Sequence, residues 1–193
     1  MTFEDMSLMR AIPKMVCFEP TDATMIETAL PAIINHNGPV YIRMPRKKQE
    51  KVYDEIKDFT LGKAIKLRDG KDVTIIASGI MVSRAIEAAD MLSAEGVEAR
   101  VLNMHTWKPI DEEAIIKAVK ETGALVTAEN HSTNGGLGSA VAEVVVEKCP
   151  APIEMIGVRD SFGEVGKLPY LSERFGLTTA DILAGVRRAL QRK

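Results

Sequence analysis

The sequence predicts an α/β protein with a doubly wound, mostly parallel sheet of about five strands, preceded by an incomplete α/β segment. Continuous apolar runs rich in β-branched residues, such as Val73–Ala77, are typical of strands buried on both faces. Segments with apolar residues at helical spacing alternate with these runs. Glycine turns such as Ser78-Gly79 separate the two kinds of segment. Strands that alternate with helices in this way indicate a parallel sheet with helices on both faces.

The region from Gly62 to the C-terminus accounts for the whole predicted sheet. Its predicted strands are an edge strand and four buried runs: 62–67, 73–77, 97–103, 124–129 and 153–158. Its predicted helices follow glycine turns or capping residues: 83–92, 112–122, 139–148, 170–175 and 180–192. This stretch is therefore expected to be one complete domain, residues 61–193.

The first 46 residues predict only two helices and two strands. The helices are expected from Met1 to Ile12 and from Ala23 to Ile34, with strands at 15–19 and 39–44. A parallel sheet of two strands exposes both edges and buries little apolar surface. We therefore expect residues 1–46 to be the end of a larger domain. The charged stretch 47–60 is expected to be a solvated linker to the second domain.

Composition excludes several classes of function. A net charge of −2 favours neither nucleic acid nor an anionic membrane as partner. No apolar run approaches the ~20 residues of a membrane span, and no signal peptide is recognisable at the start. Cys17 and Cys149 lie in apolar surroundings and are expected to be buried thiols in a reducing compartment. The cytoplasm is the expected location.

One concentrated cationic group ends the last N-terminal strand: Arg43, Arg46, Lys47 and Lys48. A planar guanidinium at such a position is well suited to a substrate phosphate, which makes Arg46 the candidate substrate-binding residue. The alternative is that these cations begin a solvated linker.

A second candidate site follows the strand at 124–129. Gly135, Gly136 and Gly138 lie between a strand and a helix, where backbone amides can hold a phosphate. The spacing matches neither a dinucleotide-binding fingerprint nor a P-loop, so a turn needed for close helix packing is the alternative. His131 lies at a strand end, where open sheets place their sites, and is either a ligand contact or a packing residue.

Two further residues at a strand end, His105 and Trp107, are expected to anchor a loop. The three histidines lie far apart in the sequence and have no cysteine partners, so no metal-ligand spacing is found. No catalytic residue is assigned on this chain.

Motifs distributed along the whole chain, in order, resemble the transketolase family. The segments 4–15 and 19–23 resemble the pyrimidine-binding domain of that family just after its histidine-containing loop, and Gly38–Arg46 resembles the end of that domain. The segments that resemble the family's C-terminal domain are 73–79, 103–111, 129–131 and 135–138. The chain is similar to the C-terminal subunit of split transketolases or to the C-terminal third of a full-length one.

The resemblance implies an enzyme of the pentose phosphate pathway that transfers a two-carbon ketol unit between sugar phosphates. Family members use thiamine diphosphate and magnesium, which bind to an N-terminal half that this chain lacks. The resemblance therefore implies such a half or subunit as partner, homodimerisation, and an isolated chain that binds no cofactor and is inactive. Arg46 matches the family arginine that contacts the substrate phosphate, and Glu4 matches an acidic position of structural role.

Two alternatives remain open from the sequence. Related enzymes share these domains, namely 1-deoxyxylulose-5-phosphate synthase and the β subunit of 2-oxoacid dehydrogenases. A non-catalytic interaction module, or a regulatory domain that binds a small phosphate at the Gly135–Gly138 turn, is the alternative outside enzymes.

Overall fold

A computed structural model describes residues 2–47 and 49–193. The helices are α1 Asp5–Ala11, α2 Ala23–Ile34, α3 Met81–Ala94, α4 Glu112–Thr122, α5 Leu137–Lys148, α6 Leu168–Arg174 and α7 Thr179–Gln191. The strands are β1 Val16–Phe18, β2 Val40–Ile42, β3 Ile65–Arg68, β4 Val73–Ala77, β5 Ala99–Asn103, β6 Thr106–Lys108, β7 Leu125–Ser132 and β8 Ile153–Val158. In these two ranges, no helix combines the length and apolarity needed to cross a membrane.

The main sheet has five strands in the order β3-β5-β4-β7-β8. The four strands β5, β4, β7 and β8 are parallel, and the edge strand β3 pairs antiparallel with β5. Helices α3 and α7 pack together on one face, and α4 and α5 pack together on the other. The doubly wound, mostly parallel sheet predicted from the sequence is confirmed.

Strand β4 is at the centre of the sheet because both of its faces are apolar. Val73, Ile75 and Ala77 point into the core beneath α3 and α7. Ile76 points into the core beneath α4 and α5. All of these side chains are inaccessible to solvent, which is the environment that continuous β-branched runs indicate.

A second sheet joins the N-terminal segment to the C-terminal part of the chain. It has the order β2-β1-β6, with β1 parallel to β2 and antiparallel to β6. The expectation that His105 and Trp107 only anchor a loop was wrong, because Thr106–Lys108 is the strand that covers one edge of β1. Strand β6 therefore covers an edge of the N-terminal sheet that the sequence predicted to be exposed.

Helix α1 begins at Asp5 and not at the start of the chain. The carboxylate of Glu4 accepts hydrogen bonds from the hydroxyl of Thr2 (2.7 Å) and from the N–H of Phe3 (2.9 Å). These bonds form a turn before the first helical residue. Glu4 thus has the structural role that the sequence indicated.

The linker between the two parts is not simply solvated. The side chain of Tyr53 is buried, and its hydroxyl accepts a hydrogen bond from Asn103 Nδ2 (2.8 Å). The N–H groups of Val52 and Tyr53 donate to Asp22 Oδ2 at 2.8 and 2.9 Å. The charged side chains that the structure describes in this stretch face solvent, while its apolar residues pack under α2. The domain boundaries expected from the sequence stay a prediction.

Candidate functional site

Arg46 lies in an exposed turn after β2 and lines a cleft of about 510 Å³. Among the residues that the structure describes, its guanidinium makes no hydrogen bond or ion pair. Lys47 lies beside it on the same wall of the cleft. Lys48, the last member of the predicted cationic group, is outside the described residues. The cleft therefore contains a cation that is free to contact an anionic ligand.

The cleft lies at the end of the main sheet where sites are expected. The chain runs from β4 to β5 on one side and later to β7 on the other side of β4, so the topological switch point falls between β4 and β7. Gly79 and Ile80 follow β4, Asn130 lies near the end of β7, and all three line the cleft. Open α/β sheets bind ligands outside the carboxyl ends of strands at such a point.

The rest of the cleft lining carries both apolar and charged side chains. The apolar lining consists of Phe3, Pro20, Met44, Pro45, Ile80, Val165, Leu168 and Leu171. Glu164 also lines the cleft, and its carboxylate accepts hydrogen bonds from Arg174 Nε (2.8 Å) and the Tyr170 hydroxyl (3.1 Å). The N-terminal segment and the C-terminal domain thus build this cleft jointly.

Arg43 does not face the cleft as a free cation, although the sequence grouped it with Arg46. Its Nη1 donates to Glu19 Oε1 at 2.5 Å, and its Nε donates to Asp5 Oδ2 at 3.0 Å. Burial alone would lower the pKa of the Arg43 guanidinium, but the carboxylates of Glu19 and Asp5 raise it above its usual value. Arg43 is a charged structural residue at the base of the cleft.

Glu19 connects this ion pair to the main sheet. Its side chain is buried, and its Oε2 accepts a hydrogen bond from Ser78 Oγ (2.8 Å). Trp107 Nε1 in turn donates to Ser78 Oγ at 2.8 Å. Gly79 has φ +54°, and a Cβ there would lie 2.6 Å from the Glu19 carboxyl carbon. Only glycine therefore fits both this backbone conformation and this close approach.

The predicted phosphate turn is already bonded to an internal carboxylate. Glu129 Oε2 accepts the N–H of Leu137 (2.7 Å), and Oε1 accepts the N–H of Gly138 (2.8 Å). A Cβ on Gly136 would lie 2.0 Å from Glu129 Oε2. Burial raises the pKa of Glu129 to about 8, while the two amides act to lower it. This geometry favours the alternative in which the Gly135–Gly138 turn allows close helix packing. It gives no support to a ligand site at the turn.

His131 is buried and is not part of the cleft lining. Its Nδ1 lies 2.8 Å from the carbonyl oxygen of Ser132, and its ring packs edge-on against Trp107 with centroids 5.3 Å apart. Burial lowers the pKa of the imidazole, so the ring is neutral near pH 7. These contacts match a packing role.

Sequence reasoning did not find the network of Asp5, Glu19 and Ser78. The available signal was weak: Asp5 and Glu19 are acidic residues next to short apolar segments, and nothing in the sequence pairs them with Arg43. Their partners lie between 24 and 59 residues away along the chain. Such pairs become recognisable only when the fold brings them together.

Comparison with known families identifies both parts of the chain. Residues 62–182 match the transketolase C-terminal domain, and residues 1–51 match the transketolase pyrimidine-binding domain. The first match covers more than half of the chain, and the second falls on the segment that contains Arg46. A five-stranded, doubly wound C-terminal domain joined to part of a pyrimidine-binding domain defines the class of protein: the chain belongs to the transketolase family.

The relatives place the chain within that family. It is 51% identical, over its full length, to a 6-deoxy-6-sulfo-D-fructose transketolase subunit from Clostridium sp. (strain MSTE9), and covers 60% of that protein. It is 39% identical over 96% of its length to 1-deoxy-D-xylulose-5-phosphate synthase from Heliobacterium modesticaldum, covering 29% of that enzyme. A solved split-gene transketolase, an inactive β4 tetramer, superposes on the whole chain with a TM-score of 0.96 at 46% identity, and 63% of that structure is covered.

The chain therefore spans about 60% of the length of the curated sulfo-sugar relative. It likewise covers 63% of the split-gene chain, whose structure is described as a β4 tetramer. The chain is accordingly similar to split transketolase subunits.

Proposed function

We propose that this chain is the C-terminal part of a transketolase and takes part in transferring a two-carbon ketol unit between sugar phosphates. The observation that carries the proposal is Arg46, an exposed guanidinium in a cleft of about 510 Å³ at the carboxyl end of the sheet. The resemblance assigns this position to the substrate phosphate. Guanidinium groups bind such oxyanions through paired, charge-assisted hydrogen bonds.

Thiamine diphosphate and magnesium are proposed to bind to the N-terminal half of the complete enzyme. When bound, the cofactor supplies the stabilised carbanion needed to break and form the carbon–carbon bond. The cleft residues fit a substrate phosphate better than a metal, because the oxygens of Glu19 are taken by Arg43 and Ser78. The share of this chain in the reaction is to hold the phosphate end of the sugar through Arg46 and to cover it with apolar walls.

The proposed partners are an N-terminal transketolase subunit and further copies of this chain. The printed name of the sulfofructose relative supports the first, because a transketolase subunit works together with at least one further subunit. The β4 assembly of the split-gene relative supports the second. The isolated chain is expected to be inactive, and the cytoplasmic location stays a prediction.

Two other activities compete with this proposal because named relatives carry them. A sulfonate is also an oxyanion that a guanidinium binds, so a sulfo-sugar substrate is compatible with Arg46. The similarity to 1-deoxy-D-xylulose-5-phosphate synthase favours a second reaction of the same cofactor class. Assays of the assembled enzyme with a ketose phosphate, a sulfo-sugar and pyruvate as separate donors distinguish the three.

The test of the Arg46 assignment is Arg46→Ala in the enzyme assembled with its N-terminal subunit. Loss of a charge-assisted hydrogen bond costs roughly 1.5–3 kcal/mol, so kcat/KM for phosphorylated sugars should fall about ten- to a hundred-fold. Unphosphorylated acceptors should be little affected. His131→Ala is the comparison variant, and it should lower stability while turnover stays near wild type. Loss of turnover in His131→Ala with no effect of Arg46→Ala would refute the site assignment.

A further inference from the structure

The backbone that carries Arg46 has few contacts of its own. Among the described residues, positions 44–47 make no backbone–backbone hydrogen bond. The nearest fixed point before them is Arg43, whose N–H donates to Phe18 O at 2.9 Å. The nearest fixed points after them are the N–H groups of Val52 and Tyr53. The position of Arg46 therefore depends mainly on how Arg43 is held.

Arg43 is held by three groups from two other segments. Its guanidinium donates to Asp5 on α1, to Glu19 after β1, and to the carbonyl oxygen of Thr2 at 3.3 Å. The side chains of Arg43, Asp5 and Glu19 are 13%, 11% and 5% exposed, so solvent screens these ion pairs little. Because the Arg43 guanidinium is planar and donates to several acceptors at once, these contacts fix its orientation as well as the position of its charge.

The same network reaches the C-terminal domain. Ser78, after β4, donates to Glu19, and Trp107 on β6 donates to Ser78. The N–H of Glu19 also donates to His105 O at 2.8 Å. A continuous chain of contacts thus runs from Trp107 through Ser78 and Glu19 to Arg43, three residues before Arg46.

We propose that Arg43 is a positioning residue for the substrate phosphate, and that Ser78 and Trp107 of the C-terminal domain set its orientation through Glu19. This inference rests on the proposed function, because it takes Arg46 as the phosphate contact. It gives the C-terminal domain a part in substrate recognition: its sheet fixes the strand end from which Arg46 projects. Arg43 also lines the cleft, but its Nε, Nη1 and Nη2 donate to Asp5, Glu19 and the carbonyl oxygen of Thr2, so we assign it the positioning of Arg46 and not the phosphate contact itself.

The test uses Arg43→Lys, Arg46→Ala and the double variant in the assembled enzyme. Lysine keeps the charge but cannot bridge two carboxylates with a planar fork. Arg43→Lys should raise KM for a phosphorylated acceptor about tenfold, with kcat and the KM of an unphosphorylated acceptor within about twofold of wild type. In the Arg46→Ala background, Arg43→Lys should cause no further rise, because residues that act as one unit are not additive. Titration calorimetry of a five-carbon aldose phosphate should give the same pattern in Kd.

Two further variants separate positioning from folding. Arg188→Lys, in an exposed pair with Glu154 far along the chain, is the matched control and should behave as wild type. Ser78→Ala keeps every charge and removes the two hydrogen bonds through which the Ser78 hydroxyl joins Trp107 to Glu19. It should raise KM for the phosphorylated acceptor a few-fold. If Arg43→Lys does not fold, the Ser78→Ala result tests the positioning role of Arg43 in its place.

The outcomes of these experiments distinguish a failure of the Arg43 positioning role from a failure of the proposed function. If Arg46→Ala raises KM for phosphorylated sugars but Arg43→Lys and Ser78→Ala do not, the positioning role is wrong and the proposed function stands. An additive double variant, or equal losses for both acceptors, also overturns the positioning role. If Arg46→Ala itself has no phosphate-specific effect, the assignment of Arg46 fails, and the positioning role fails with it.

Discussion

At the scale of single residues, two buried carboxylates occupy the places where a parallel sheet usually holds a ligand anion. Glu19 lies against the turn between β4 and α3, and Glu129 caps the N-terminal amides of α5. Helix N-termini favour negative charge because their amides point outward and the helix dipole is positive there. Glu129 accepts the two amides of α5, although its raised pKa of about 8 keeps a proton on it near neutral pH. Glu19 is held by Arg43 and Ser78. Side chains of this chain thus fill both turns, which leaves the adjacent cleft and Arg46 as the place for an external anion.

Gly136→Ala should destabilise the protein by roughly 1–3 kcal/mol, the usual cost of overpacking a buried site. The added Cβ would lie 2.0 Å from Glu129 Oε2 and 2.4 Å from Ser132 O, and neither atom can move without losing hydrogen bonds. Urea denaturation measures the change. Gly166→Ala is the control, because the nearest atoms there belong to the exposed side chain of Tyr170. Equal stability of the two variants would show that the Glu129 turn is not tightly packed.

The raised pKa of Glu129 predicts a dependence of stability on pH. Its carboxyl group has a pKa of about 8 in the folded protein, against an ordinary value of 4.5. Between these values the folded state keeps a proton that the unfolded state has lost, so this group favours unfolding increasingly as pH rises from 4.5 to 8. The unfolding free energy of wild type, relative to Glu129→Gln, should fall across this window and level off above it. Urea titrations of both proteins at several pH values measure the difference, and parallel pH profiles would contradict the prediction.

At the scale of secondary-structure elements, local sequence signals were sufficient where the determining contacts are local. The bounds of α2 and β8 were predicted correctly, because α2 has the capping residue Asp22 at its start and β8 is an apolar run between turns. Strand β6 was missed because three residues have no detectable period and become a strand only by pairing with β1. The burial of Tyr53 was missed for the same reason, since its partner Asn103 is 50 residues away.

The same distinction applies to the candidate site. The position of Arg46 after a strand could be predicted, because a strand end and a cationic residue type are visible in the sequence, while its contact with the substrate phosphate stays a prediction. The opposite roles of Arg43 and Arg46 could not be predicted, because they depend on which of the two meets the carboxylates of Asp5 and Glu19. Likewise, the glycine turn has the composition of a phosphate site, and only the fold brings Glu129 onto its amides.

The most protease-sensitive element should be the segment 159–167 and not the stretch 47–60. All residues of 159–167 are exposed, and Phe162 and Val165 are 95% and 103% exposed. In the linker, by contrast, Asp22 holds the N–H groups of Val52 and Tyr53. Limited proteolysis with mass spectrometry should therefore give its first cuts between 159 and 167. First cuts within 47–60 would support the solvated linker expected from the sequence.

At the scale of the whole molecule, the N-terminal segment packs against the main sheet and also presents a surface that another polypeptide can cover. Met6 and Cys17 are buried in the same core as Ile76 and Trp107, so the segment and the main sheet share apolar contacts. Strand β2, in contrast, is an edge of its three-stranded sheet. The exposed apolar residues of α1 and α2 include Leu8, Leu30 and Ile34. An edge strand beside exposed apolar side chains is typical of a surface that pairs with another polypeptide.

The isolated chain should consequently fail to bind thiamine diphosphate, whereas the assembly with an N-terminal subunit should bind it. In the described part of the chain, the exposed cations that line the cleft are Arg46 and Lys47, and this open cleft is suited to the phosphate of a sugar. The family resemblance assigns the diphosphate, the magnesium and the activating glutamate to sequence that lies outside this chain. Isothermal titration with magnesium should show no saturable binding up to millimolar cofactor for the chain alone. A micromolar dissociation constant, worth about −8 kcal/mol, would mean that this chain carries a cofactor site of its own. The assignment of cofactor binding to the N-terminal subunit would then be wrong.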